Sequence, residues 1–222
     1  MDKVNGNALH DEEKPEIIYV FDALCGWCYG FSPVIQKLHE EFEKTADFLV
    51  LSGGMIKEED AGPVGEMAWY IKQAYKQVED VSGVKFGKEF LENVLEKGDA
   101  VFDSVTPARA MAVFRLEKIE LAVDFAARLQ KAIYFHGMLP GNDETYKALA
   151  AEFQLDPNAF VTRMKTMEID EIVRNEFQVV AGMGVKGYPS VIVRKGGEMK
   201  TLSRGYMDYD ALRTELMEML KQ

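Results

Sequence analysis

The apolar positions follow two different periods along the chain, and the changes of period mark its elements. After a polar opening comes Ile17-Ile18-Tyr19-Val20-Phe21, an unbroken apolar run that reads as a buried strand over residues 16–22. Beyond it the apolar residues fall at Phe31, Val34, Ile35, Leu38 and Phe42, a spacing that gathers them on one face of a helix reaching about Lys44. Asp47-Phe48-Leu49-Val50-Leu51 predicts a second buried strand, stopped by Ser52-Gly53-Gly54. From Ala61 to about Phe177 no strand-like run occurs, and helical spacing predicts helices over 62–78, 87–96, 106–118, 121–135, 143–153, 156–167 and 169–180. Asp156 before Pro157, and Thr106 before Pro107, are cap residues followed by a proline suited to a first turn. The glycine-rich loop Gly182-Met183-Gly184-Val185-Lys186-Gly187 then leads to a strand over 189–194. A tight turn at Lys195-Gly196-Gly197-Glu198 precedes a returning strand over 199–202, and a final helix over 209–220 sets Leu212, Leu216 and Leu220 on one face.

The order is β-α-β, a helical block, then β-β-α. A sequential β-α-β unit makes a right-handed parallel crossover, and the hairpin completes a four-stranded sheet with helices on both faces, an α/β architecture. The domain organisation expected is a flexible tail at 1–15, one half of the sheet domain at 16–60, a helical insertion at 61–177 and the second half at 178–222. A length of 222 residues suits one large domain or one domain with an insertion. The net charge of −11 argues against nucleic acid and anionic membrane surfaces as partners. The opening residues carry no apolar signal core and the first apolar run is too short to span a bilayer, so a cytoplasmic location is expected.

The candidate chemistry lies where the first strand meets the first helix. Both cysteines of the chain stand there, as Cys25-Gly26-Trp27-Cys28. The first amides of a helix have no partner within it, and the aligned peptide dipoles add positive charge, so a thiolate at Cys25 is stabilised more than a thiol. Such placement brings a cysteine pKa from about 8.5 to roughly 3.5–7.5. Cys25 is therefore the expected nucleophile of thiol–disulfide exchange and Cys28, one turn on and more buried, the resolving thiol. Three other readings compete. A structural Cys25–Cys28 bridge closes so short a loop that it yields about 2 kcal/mol at best. Half of a zinc site lacks its other ligands, since His10, His39 and His136 are scattered. Two idle cysteines could share the spacing by chance. No metal, flavin or nucleotide motif is present.

Cys25-Gly26-Trp27-Cys28 after the first strand, the helical block, Pro33 five residues beyond the second cysteine, and Gly184-Val185-Lys186-Gly187-Tyr188-Pro189 together resemble the DsbA-like branch of the thioredoxin fold. Among its members the chain looks most similar to the cytosolic protein-disulfide isomerase type. The resemblance implies a thioredoxin-like fold with an inserted helical domain, and a protein-disulfide oxidoreductase or isomerase that works through its own redox-active pair without a further cofactor. Glutathione enters as a candidate co-substrate. It implies protein or small-molecule thiols and disulfides as substrates, and a redox recycling partner. It also implies a cis Pro189 against the disulfide, with the Tyr188 backbone turned toward an extended substrate peptide. Secreted DsbA carries Pro-His between its cysteines, and Gly26-Trp27 lacks that histidine. Kappa-class glutathione transferases and hydroxychromene-carboxylate isomerases resemble the chain in layout, but have serine where Cys25 stands and no second cysteine; a glutathione-dependent enzyme of that type is the alternative.

Further candidates have two readings each. Asp22 is either a proton acceptor for the buried cysteine or a turn former at the strand end. Trp27 and Tyr29 form an exposed aromatic lip beside the sulfur, or pack beneath the helical block. Tyr188 contacts substrate or simply packs. Met183 lines the substrate groove or fills a gap. His39 is expected at the surface, and His136 at a helix end in a charge–dipole contact.

Overall fold

The computed structural model describes residues 14–57 and 60–221, so all but two residues of the expected 1–15 tail lie outside the described residues. In chain order the elements are β1 (Glu16–Phe21), α1 (Gly26–Phe42), β2 (Asp47–Ser52), β3 (Gly62–Pro63), α2 (Ala68–Ser82), α3 (Lys88–Phe90), β4 (Val101–Phe102), α4 (Val105–Lys118), α5 (Ala122–Tyr134), α6 (Asp143–Glu152), α7 (Pro157–Met164), α8 (Met167–Gly182), β5 (Ser190–Lys195), β6 (Glu198–Arg204) and α9 (Tyr209–Leu220). The main sheet has the order β2-β1-β5-β6. β1 runs parallel to β2 in a register that pairs Glu16 with Asp47 and Phe21 with Ser52, and antiparallel to β5, with Val20 opposite Ser190. β5 and β6 form the expected hairpin. Its turn places Gly196 at φ 57° and Gly197 at φ 81°, left-handed at both central positions, which glycine adopts without steric cost.

β1 is apolar from Ile17 to Phe21 because both of its faces are covered there. Ile17, Tyr19 and Phe21 face the main core with Phe31, Ile35, Leu38 and Phe42 of α1, whereas Ile18 and Val20 pack with Leu51, Ile192 and Val180 of α8. Each large apolar side chain taken fully from water contributes about 1.5–3 kcal/mol, so this strand anchors the fold and fixes where its C-terminal end points. α1 continues through Pro33. Proline there has no N–H to offer the carbonyl of Tyr29, and the Ser32 hydroxyl donates to that carbonyl instead at 2.8 Å.

The helical block differs from expectation in detail. It contains a two-stranded antiparallel ladder, β3 with β4, whose strands are too short to show a period. The helix predicted from 62 starts at Ala68 after a 3₁₀ turn and ends at Ser82, before Gly83 at φ 77°. The stretch 87–96 is a single α-turn running into a π-turn at Leu91–Leu95. The 177/178 boundary falls within α8, which serves both halves of the molecule. Its buried Glu176 accepts the Ser52 N–H of β2 and pairs with Arg115 of α4, whose guanidinium also donates to the Val50 carbonyl at 2.6 Å. These side chains bond main-chain groups of β2, the edge strand of the sheet.

Candidate active site

Cys25 is the N-cap of α1. Its backbone is extended (φ −92°, ψ 111°), and its sulfur accepts the Cys28 N–H at 3.4 Å. The Cys25 N–H in turn donates to the Asp22 carbonyl at 3.1 Å, closing the tight turn that separates strand from helix. A hydrogen bond from the Cys28 thiol holds the Cys25 pKa below the usual cysteine value, with help from the Cys28 and Trp27 amides; burial and the charge of Asp22 act against them. Cys28 moves the other way. Burial pushes its thiol well up, and the neighbouring Cys25 adds to this. Cys25 is 7 % exposed and Cys28 0 %, so one sulfur can meet a substrate and the other cannot.

Asp22 is buried, and its carboxylate is occupied by the surrounding loops. It accepts from the Leu24 N–H at 2.9 Å, the Met55 N–H at 2.7 Å and the Ser104 hydroxyl at 2.9 Å. Burial raises its pKa above the ordinary carboxylate value, and these donors oppose the rise. Its bond to the Leu24 amide two residues on is the strand-end turn among the two readings of this residue. Behind the turn, Gln130 of α5 donates its amide to the carbonyls of Asp22 at 3.2 Å and Cys25 at 3.5 Å.

Pro189 follows a cis peptide bond and is buried at the head of β5. The carbonyl of Tyr188 lies 3.6 Å from the Cys25 sulfur, which donates to it in the thiol form. The Tyr188 ring lies over Gly53 and its hydroxyl donates to the Gly53 carbonyl at 2.8 Å. A Cβ on Gly53 would sit 2.1 Å from that ring, so the contact requires glycine. Burial pushes the Tyr188 phenol up to about 12.

A cavity of about 450 Å³ opens beside Cys25, between the start of α1 and the helical block. Trp27, half-buried, lines it together with Tyr70, Phe86 and Tyr134; Asp60 is the one charged residue among the described lining residues. Tyr29 corrects the expectation of an exposed lip. It is 6 % exposed, donates to the Lys85 carbonyl at 2.9 Å and packs against Phe86 and Tyr134, because its position on α1 faces the helical block. Met183 is not brought to the sulfurs. It ends α8 and packs with Ile18, Val20 and Ile192 on the face of the sheet away from α1. His39 is half-buried against Phe48, and His136 is exposed beyond α5. Gln130, Ser104, Gly53 and the aromatic residues of the cavity other than Trp27 were not singled out from sequence. The only signal available was a glutamine inside the apolar face of the 121–135 helix.

Residues 16–217 match the family model described as the DSBA-like thioredoxin domain. A solved structure of a provisionally assigned protein disulfide isomerase from Nitrosomonas europaea superposes with a TM-score of 0.84 and 27% identity, covering 95% of this chain and 99% of that one. The cytosolic disulfide reductase DsbM from Pseudomonas aeruginosa superposes with a TM-score of 0.78 and 26% identity, covering 93% and 98%. A curated relative, the ClpXP adapter protein SpxH of Shouchella clausii (strain KSM-K16), is 22% identical over 184 residues; the match takes in 81% of this chain and spans 58% of the length of that protein.

Proposed function

The chain belongs to the DSBA-like thioredoxin domain family, and from that premise we propose that it catalyses thiol–disulfide exchange through Cys25 and Cys28. One observation carries the reading: the Cys25 sulfur caps α1, accepts hydrogen bonds from Cys28, and opens into an apolar cavity, while Cys28 is sealed behind it. In the reducing direction the Cys25 thiolate attacks one sulfur of a substrate disulfide and the other sulfur departs as a thiolate. Cys28 then loses its proton and attacks Cys25, releasing the second substrate thiol and leaving a Cys25–Cys28 disulfide. Two electrons pass from the pair to the substrate.

Reduction or isomerisation is the favoured direction. Burial and the charge of Asp22 limit how far the hydrogen bond from Cys28 lowers the Cys25 pKa, whereas a strongly oxidising pair needs a strongly stabilised reduced form. The similarity to a cytosolic disulfide reductase supports the same direction and a reducing compartment such as the cytoplasm. No helix among the described residues is long and apolar enough to cross a membrane. A thiol donor must then return the oxidised pair to the dithiol. Glutathione is the candidate, since DsbM, matched in fold, is also known in a structure with GSH.

Turnover of insulin disulfides with glutathione as reductant tests the proposal. The protein should accelerate the reaction, and Cys28→Ser should reduce the rate sharply while leaving Cys25 able to trap a mixed disulfide. Full activity in that variant would instead favour a glutathione-dependent transferase or isomerase, which needs one sulfur only.

A further inference from the structure

Tyr19 stands at the centre of β1, 1 % exposed; its hydroxyl makes no hydrogen bond of ordinary geometry among the described residues, and Cys28 is the side chain that bears on it as a partner. Other tyrosines near the core are satisfied. Tyr146 donates to the Pro140 carbonyl, Tyr29 to Lys85 and Tyr188 to Gly53. Phenylalanine would fill the Tyr19 site without burying an unpaired polar group, so the hydroxyl is a cost the fold carries. Its surroundings suggest why. Tyr19 faces α1, with its ring centroid 5.9 Å from that of Phe31, and Cys28 lies on the same face of α1 one turn before Phe31. The sulfurs of Cys28 and Cys25 are the groups whose charge bears on the hydroxyl.

The resolving step needs what this hydroxyl can supply. Cys28 must become an anion inside the protein, where burial disfavours it. The titratable groups facing it do not help. Asp22, at the end of β1, is an acceptor with its carboxylate already bonded to Leu24, Met55 and Ser104, and its charge opposes a second anion. Tyr188, before β5, donates to Gly53, and Tyr134 of α5 lines the cavity on the Cys25 side. Gln130 donates to the two carbonyls of the turn, and its unpaired oxygen is an acceptor that cannot stabilise a negative charge.

We infer that Tyr19 is the hydrogen-bond donor that stabilises Cys28 as a thiolate while it resolves the mixed disulfide. The inference rests on the exchange reaction proposed above. In that step the Cys28 sulfur attacks the Cys25 sulfur, the bond between Cys25 and the substrate sulfur breaks, and the Cys28 proton leaves with the substrate, which departs as a thiol. Tyr19 keeps its own proton throughout. The phenol is held well above its ordinary pKa, which keeps it a donor.

The two steps can be timed separately with the aromatic disulfide 5,5′-dithiobis(2-nitrobenzoate) and the reduced protein. Attack by Cys25 releases one coloured thiolate, and resolution by Cys28 releases the second. Tyr19→Phe should leave the first phase unchanged, slow the second about tenfold or more, and move its pH midpoint upward. Incorporation of 3-fluorotyrosine at position 19, which restores the hydroxyl, should restore the second phase. A second phase at wild-type rate in Tyr19→Phe, or one still slow with 3-fluorotyrosine, overturns the inference. The failure of the exchange reading would look different: the wild-type protein would release no more than one equivalent.

Discussion

Replacing Cys28 with alanine should raise the pKa of Cys25, and the size of the rise measures how the nucleophile is tuned. The largest influence lowering that pKa is the hydrogen bond from the Cys28 thiol, ahead of the amides of Cys28 and Trp27. A hydrogen bond to a charged partner contributes about 1.5–3 kcal/mol, and one pKa unit corresponds to about 1.36 kcal/mol. Loss of the thiol should therefore raise the Cys25 pKa by about 1–2 units, with the helix-terminal amides still in place. Thiolate absorbance at 240 nm against pH reads this directly, and in the variant a single sulfur titrates. A cysteine whose pKa is depressed by folding stabilises the protein fully above the unfolded value of about 8.5, and that contribution is lost as pH falls through the folded pKa. The variant weakens this contribution of Cys25 but also removes Cys28, whose raised pKa penalises the folded state at alkaline pH, so the absorbance titration and not stability is the deciding measurement. An unchanged Cys25 pKa would refute the assignment and leave the helix terminus alone as the source of the thiolate.

Three further outcomes follow from the geometry. Asp22→Asn removes a charge that opposes both thiolates, so the Cys25 pKa should fall further; a rise in the same absorbance titration would contradict the electrostatic account. Gly53→Ala places a Cβ where the Tyr188 ring lies, 2.1 Å away. It should cost about 1–3 kcal/mol in urea unfolding and slow exchange by displacing the Tyr188 carbonyl beside Cys25, and a variant equal to wild type in both would show the contact to be dispensable. Arg115→Met leaves Glu176 buried without its ion partner. A loss of about 3–5 kcal/mol is expected on chemical denaturation, with the Cys25 pKa unchanged.

What could be read before folding was local. The apolar run of β1, the one-sided spacing of α1 and the placement of Cys25 at their junction are near-neighbour patterns, and they locate the Cys25 sulfur because strand and helix geometry depend on periods of two and 3.6. The same patterns gave the hairpin and most helices of the insertion. They failed for β3 and β4, two residues each, and for the side on which Tyr29 and Met183 lie. Gly184-Val185-Lys186-Gly187-Tyr188-Pro189 pointed to the cis bond through resemblance, not through any period.

The sequence by itself thus determined where the two cysteines stand and the order of the elements, since both are set by residues close together in the chain. Only the tertiary structure decided what surrounds the two sulfurs. Gln130 reaches the Cys25 carbonyl across 105 positions, Ser104 reaches Asp22 across 82, and Tyr188 meets Gly53 across 135. Such contacts are chosen by how the helical block packs against the sheet, and no spacing along the chain encodes that choice.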